Sequence, residues 1–500
     1  TAAPASGSGL AGWSGDFASC GFGQTCNVQV AAMRSGAARF EKGGYVVWAV
    51  KVQATGSAGI KNVRMTVGGD LIVAGTYAGE GDVNGAPLPS APLGVGTPYV
   101  ARLSGLDGSA RWVRGFPTTG LLYANVSDFV VDPGTGDIVL AGSFGGTLDL
   151  GGPQPLVSDF NGDLFVARLS GADGSHVWSF VLTSTADEPA IHVALDQGRV
   201  LVFGSFTSSI NLGDGVVRPT KGFQDMYLVW HSVANGALLS DPPPKTIGDP
   251  NASIIVADVV VDASHNIVAT GSFSGTTKFG GGPLDPPHSP RGPGDAFVTK
   301  YDSRGTLVWV VTGGGPTSNF AYSAAVGPGN SVYATGYTSL AMATDAVIFN
   351  GVQAASSSGT SGEIFAVGIT SDGSVTWVRR FGGPGDDYPQ RVAVDGAGNV
   401  VIDGAFKQSF SFDAFTVAAN GSEWDAFVSV LASSAGGSVV WADRYGGPNV
   451  DEAHGLAIDP VTQHWLVAGG FTSISKFGDK DLTAAGHGAG FCVRVIRSAR

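Results

Sequence analysis

The chain has 500 residues, 43% apolar and 14% charged, with 77 glycines and a formal net charge of −13. That acidity argues against the basic face that phosphate backbones and anionic membranes require, and no apolar run reaches the roughly 18 residues of a membrane-spanning helix. Short β-branched runs punctuated by Gly, Asn, Asp and Ser point instead to an all-β protein.

The opening, TAAPASGSGLAGWSG, has the Ala/Pro/Ser/Gly composition of a flexible spacer such as remains after an export signal is removed. Export is therefore the expected location: extracellular, cell-surface or periplasmic. Residues 1–39 read as this spacer plus a candidate disulfide loop, because Cys20 and Cys26 flank GFGQT. Two unpaired thiols are the alternative, and Cys492 stands alone in a late strand. The next segment, EKGGYVVWAVKV at 41–52, reads as a β-strand behind a tight turn, yet nothing upstream is long enough to be its regular partner.

From there the chain repeats. A glycine, one small or polar residue and usually an aromatic close a β-rich run at Gly75, Gly142, Gly204, Gly271, Gly336, Gly404 and Gly469, with spacings of 62 to 68 residues. Before each comes a hairpin, as in RVAVD at 391–395 and NVVIDGAF at 399–406. A connection of roughly twenty residues leads to a third strand, such as YVARL at 99 or AFVTKY at 296, and most repeats add a fourth centred on tryptophan: Trp112, Trp178, Trp309, Trp377 and Trp441. The third repeat departs, since the prolines of GALLSDPPPK should end or marginalise its fourth strand.

Four antiparallel strands repeated seven times predict a seven-bladed β-propeller over residues 40–500, with blades at about 61–116, 124–182, 188–247, 253–312, 321–381, 388–445 and 453–500. The seventh repeat lacks a fourth strand. FEKGGYVVWAV at 40–50 matches YDSRGTLVWVV at 301–311, so residues 40–52 are expected to complete the last blade beside FCVRVI at 491, a 3+1 closure that hides two raw edges. An isolated hairpin with AARF is the alternative. The tryptophans read as packing residues between outer strands.

DAFVTKYDSRGTLVWVVTGGG at 295–315 and WVRRFGGPGDDYPQRVAVDGAGNVVIDGAF at 377–406 resemble the bacterial SBBP repeat, a seven-bladed β-propeller family. The likeness covers roughly residues 45–500, and repeats one, three and five depart from it most. It implies a secreted or surface-attached propeller, often without an assigned activity.

Candidate chemistry is sparse. Glu188, Asp387 and Asp451 precede Asp196, Asp395 and Asp459 at one common offset, and Asn319 matches them relative to Gly327. Acids around a rim suit a divalent cation or a basic partner, but a repeated position argues for a repeated structural task, hydrogen bonding of backbone amides where one blade hands over to the next. GEGDVNG at 79–85 resembles a calcium loop through Glu80, Asp82 and Asn84. Asp82, however, aligns with Asp149, Asn211 and Lys278, and the distal glutamate is missing.

No cofactor is expected, calcium being the ion these acids leave open. The histidines are scattered without zinc-site spacing, His192 reads as a packed strand residue, and neither a GxSxG elbow nor a phosphate-binding glycine loop appears. Quinone-dependent dehydrogenases look similar in their turns, but as eight-bladed rings with adjacent cysteines; seven repeats and no vicinal cysteines argue against them. No catalytic or cofactor-binding residue is assigned.

The expected function is that of an exported, non-enzymatic module for protein binding or scaffolding. Its contacts should run through the face carrying the connections 78–97, 145–162, 207–224, 274–294, 339–362, 407–424 and 472–489. The alternative is an enzyme, or a carbohydrate or small-ligand binder, at the axial channel on that face. It would use acids such as Asp386 and Asp387, or exposed aromatics at Trp13, Trp230 or Trp424.

Overall fold

The computed structural model describes residues 8–13, 38–42, 46–158, 162–185, 190–280, 282, 285–339, 345–354, 362–412, 415–484 and 488–496. It is an all-β propeller whose described helical pieces are short 3-10 turns at Pro328–Asn330 and Ser433–Ala435. The first repeat folds as a four-strand antiparallel ladder of Ala58–Met65, Leu71–Tyr77, Thr97–Leu103 and Ala110–Gly115. Ladders of the same order follow, starting on the inner strands Thr118–Val131, Ala190–Asp196, Ser253–Val261, Asn319–Val326 and Asp387–Val394. The remaining ladder runs Asp451–Ile458, Trp465–Phe471, Ala489–Val495 and then Val46–Ala54. Here Trp48 lies opposite Arg494, and Lys51 opposite Phe491.

Each apolar core lies between adjacent ladders. Phe203 and Trp230 of the third repeat, for example, pack with Ile254, Phe273 and Phe297 of the fourth. The recurring glycine is dictated by close backbone approach: a Cβ at Gly142 would stand 1.9 Å from the Asn125 carbonyl and 2.7 Å from the Phe165 ring. The aromatic two residues on, Phe144, is fully buried and meets Phe165 edge-on at 6.0 Å.

The outer strands are joined by a clasp that sequence reading did not anticipate. Trp112 Nε1 and Arg102 Nη1 both donate to the Gly171 carbonyl in the next repeat, at 3.2 and 2.7 Å. Trp178 and Arg168 converge in the same way on Val233, at 2.8 and 2.6 Å, and Trp309 and Lys300 on Ser371, at 3.1 and 3.4 Å. Trp48 and Arg494 meet on Gly105, at 3.2 and 2.6 Å. Each cation is also paired with an aspartate of its own repeat: Asp70, Asp137, Asp262 and Asp459 respectively.

The third repeat improvises. Its fourth strand is only Lys245–Ile247, beyond the prolines, and its clasp is made by Arg199 Nη1 on Ser303 O at 3.3 Å, with Lys245 Nζ on the carbonyls of Arg304 and Gly305 at 2.9 Å.

Parts of the long connections form strands that cover the outer edge of the preceding ladder. Gly81–Val83 pairs with Val46–Ala54, Ser209–Asn211 with His176–Ser184, and Ile348–Phe349 with Leu307–Gly314. At the amino terminus, Ser8–Trp13 pairs with Ala38–Lys42. Phe40 therefore belongs to that pair, not to the longer strand, which starts at Val46. Cys20 and Cys26 lie outside the described residues.

Candidate functional site

The inner strands carry a repeated irregularity. Their pairing with the second strand skips one residue at Lys61, Ser127, Ala257, Tyr322, Gln390 and His454, a β-bulge in each case. The inner strand of the third repeat, Ala190–Asp196, is regular throughout. A bulge leaves one residue unpaired, bends the strand and re-aims its side chain. Those six residues, with His192 from the regular strand, line one cavity of about 600 Å³ together with Thr76, Asn125 and Arg391. The lining draws on the front halves of the inner strands and the ends of second strands, the end from which the long connections depart.

Beneath the lining sits a polar floor. Asp128 Oδ1 accepts from the Phe129 amide at 2.9 Å, and its Oδ2 accepts from Val193 N in the next repeat at 3.3 Å. Asp258 behaves in the same way, accepting from Val259 N at 3.0 Å and from Ala324 N and Ser323 Oγ of the next repeat at 3.1 and 2.8 Å. Ser323 Oγ in turn accepts from Val392 N at 3.3 Å. These bonds tie successive inner strands together around the axis.

Cations complete the floor. Arg64 Nη2 stands 3.6 Å from Asp128 Oδ1, and Arg391 Nη1 stands 3.5 Å from Asp258 Oδ1. Behind Arg391, buried Asp403 accepts from its backbone amide at 2.8 Å, and burial pushes the Asp403 carboxyl up to about 7.

Asp128, His192 and Asp258 bring their ligand-type atoms within 4.8 Å of one another, the grouping a metal would need. The surroundings do not suit a dication. Both carboxylates already accept backbone amides on each oxygen and face an arginine, while Arg391 and Lys61 oppose positive charge at His192. Desolvation holds the His192 imidazole below its usual value, and its Nδ1, 3.8 Å from Asp128 Oδ2, makes no hydrogen bond.

The acids singled out in sequence lie elsewhere. Asp387 and Asp451 are fully buried at the starts of inner strands, where Asp387 Oδ2 accepts from Gly383 N at 2.9 Å and Asp451 Oδ2 from Gly447 N at 2.7 Å. Desolvation, reinforced by Glu363 and Asp386, raises Asp387 to about 9; burial raises Asp451 to about 7. Asn319 takes the corresponding place in the fifth repeat and donates to Thr317 O at 2.7 Å. Asp386 accepts from Gly362 N at 3.3 Å. None of these residues lines the axial cavity, and Glu188 lies outside the described residues.

Asp82 closes a local turn, accepting from Gly85 N at 2.7 Å and from Gln53 Nε2 at 2.8 Å, while Asn84 Nδ2 reaches Gly108 O at 3.4 Å and Glu80 is exposed. Trp230 is 1% exposed, so it offers no open face for a sugar. Trp424 is half-buried against Tyr388, with the Lys407 ammonium 4.7 Å from its ring, and the side chain of Trp13 is outside the described residues.

Sequence reasoning missed Lys61, Tyr322, Gln390, Arg391 and His454. The available signal was that Lys61, Tyr322, Gln390 and His454 occupy one column of the repeats with a different side chain in each, Arg391 following next in its strand. The segment from Thr376 to Val401 spans the junction between the fifth and sixth ladders, including GGPGDD and the bulge at Gln390. Residues 376–401 match the SBBP family, a beta-propeller repeat. The SBBP segment thus supplies two cavity residues, Gln390 and Arg391.

No curated sequence is significantly similar to the chain. Among solved structures it is similar to hydrazine synthase of Kuenenia stuttgartiensis, at 11% identity and a TM-score of 0.37 over 69% of this chain and 75% of that one. It also resembles a protein of unknown function from Dyadobacter fermentans, at 10% identity and a TM-score of 0.35 over 74% and 94%. For quinohemoprotein alcohol dehydrogenase ADHIIG from Pseudomonas putida the figures are 10% and 0.31 over 88% and 60%. At such scores these likenesses carry no functional weight.

Proposed function

We propose that the chain is a seven-bladed propeller that binds a small polar ligand in its axial cavity and does not turn it over. The observation that carries the reading is the bulged ring. One backbone position recurs in the inner strands but presents Lys61, Ser127, Ala257, Tyr322, Gln390 and His454 into one cavity of about 600 Å³, a size ordinary for small-ligand sites. Identical side chains would be expected if the ring served the frame alone.

Support for the blade count comes from the seven repeats and their four-strand ladders. Support for closure by the amino-terminal strand comes from the pairing of Val46–Ala54 with Ala489–Val495. Binding without turnover is favoured because Asp128 and Asp258, the carboxylates under the lining, are already engaged by amides and arginines. An exported location is favoured by the match to the SBBP repeat. No helix among the described residues is long and apolar enough to cross a membrane.

The test is a thermal-shift screen with neutral and acidic monosaccharides, run on the wild type and on Ala257→Trp, which fills the cavity. At least one compound should raise Tm in the wild type and not in the variant. Equal shifts in both would end the reading.

A protein-binding role for the long-connection face is favoured by one observation. Val216, Val217 and Phe223, in the connection of the third repeat, are 52%, 64% and 68% exposed, and Leu93, Val157 and Ile474 are exposed in three other long connections.

A further inference from the structure

Building on the axial-cavity reading, we infer that the site is selective for an oxyanion: it takes a small molecule carrying a carboxylate or phosphate, with Lys61 and Arg391 as its charge partners. The argument starts from a local inversion of charge. The chain carries a net charge of −13, yet among the described residues the cavity lining contains Lys61, Arg391, His192 and His454 and no carboxylate. Asp128 and Asp258 sit behind the lining with both oxygens engaged by backbone amides, and Asp403 accepts the Arg391 amide on one oxygen. Glu452, 3.3 Å from His454 Nε2, is outside the lining.

Lys61 reaches the cavity from the first ladder and Arg391 from the sixth. The Lys61 ammonium has no ion pair or hydrogen bond among the described residues; lining the cavity and facing Arg391, it is held below the usual lysine range by desolvation and by that arginine, the pull of Asp128 being the smaller influence. Arg391 is offset by Asp258, 3.5 Å away, whereas Lys61 has no such partner among the described residues and its charge is opposed by Arg391. An oxyanion between them would accept charge-assisted hydrogen bonds and relieve the repulsion.

Further polar groups are in place for the body of such a ligand. Gln390, Asn125 and Ser127 offer amides and a hydroxyl, and Tyr322, stacked on Phe320 at 5.0 Å, offers an aromatic face with a phenol. The cavity volume fits a molecule the size of a mono- or disaccharide.

The experiment is calorimetric titration of the full chain with three probes: glucose, glucuronate and glucose 6-phosphate. At least one acidic probe should bind, with an affinity that falls as salt rises, at least tenfold more tightly than glucose. Lys61→Gln should weaken that probe roughly tenfold or more, the scale of a lost charged hydrogen bond, and leave glucose unaffected. Because Lys61 is exposed to the cavity, this variant should keep the Tm of the empty protein or raise it; Arg391→Gln, read in parallel, should show the same selectivity loss.

Which acid binds separates a carboxylate from a phosphate preference. Glucose binding as tightly as the acids would overturn the oxyanion inference while leaving the cavity reading intact. Binding of the acids unchanged by Lys61→Gln and by Ala257→Trp would place the site elsewhere and overturn both. Failure of both acids to bind at millimolar concentration would overturn the oxyanion inference.

Discussion

The outer clasps and the inner ring both reuse fixed positions of the repeat, and they differ in what occupies those positions. At the clasps the chemistry recurs: a tryptophan and a cation converge on one carbonyl of the next repeat, at Gly171, Val233, Ser371 and Gly105. In the inner ring the backbone bulge recurs, but the side chain is a lysine, a serine, an alanine, a tyrosine, a glutamine or a histidine. Repeated geometry with repeated chemistry holds the frame, whereas repeated geometry with varied chemistry forms an asymmetric surface, which is what a small asymmetric ligand requires.

The comparison breaks if clasp residues prove dispensable or ring residues prove structural. The largest effect should come from Arg494→Ala. This side chain is 2% exposed, pairs with Asp459 and reaches Gly105 O between the ends of the chain. Its loss leaves a buried carboxylate unpaired and should cost about 3–5 kcal/mol in urea unfolding. The equivalent Arg102→Ala, in a more exposed pair, should cost roughly 1 kcal/mol. Similar costs for the two would show that closure is no more demanding than any other junction.

Asp387→Asn sharpens the frame side of the comparison, since Asn319 already fills the matching place in another repeat. An acid whose folded pKa is raised favours the folded state below its unfolded pKa and loses that advantage as pH rises through the folded value. For Asp387, at about 9, the loss spans about pH 4 to 9. The wild type should therefore lose on the order of 4 kcal/mol between pH 5 and 8 at this site. The variant should show a flatter profile and be the more stable at pH 8; an unchanged slope would mean that Asp387 ionises normally.

Trp112→Phe removes one clasp hydrogen bond while keeping most of the ring, so a cost of about 1 kcal/mol is expected by chemical denaturation. The smallest effects belong to the ring. Ser127→Ala and Gln390→Ala should each fall within about 0.5 kcal/mol of the wild type. Losses as large as those at the clasps would make the ring structural and remove the basis for a ligand site.

Much of the frame was legible because it is written in short-range patterns. NVVIDGAF, with its glycine forced by close backbone approach and its buried aromatic, announces a second strand wherever it recurs, and VVWAV carries the alternation seen in the burial of Val46, Trp48 and Val50. The buried acids Asp387 and Asp451 were legible as repeated positions, and the structure gives each a backbone amide at the start of an inner strand. The clasps were only half legible: their tryptophans stand out, but the acceptor is a main-chain carbonyl 57 residues away for Trp48, and a carbonyl has no side-chain signature.

The site was not legible. A one-residue bulge at Lys61 or Gln390 leaves the strand pattern intact in the letters while turning that side chain from the sheet toward the axis. By itself, the sequence determined that this chain is a repeated array of four short antiparallel strands, because alternation, turn residues and glycine spacing act within a few residues of one another. Only the tertiary structure decided which side chains face the axis and which charges meet there. That depends on strand registers and on groups from ladders as distant in sequence as Lys61 and Arg391, whose encounter no local pattern encodes.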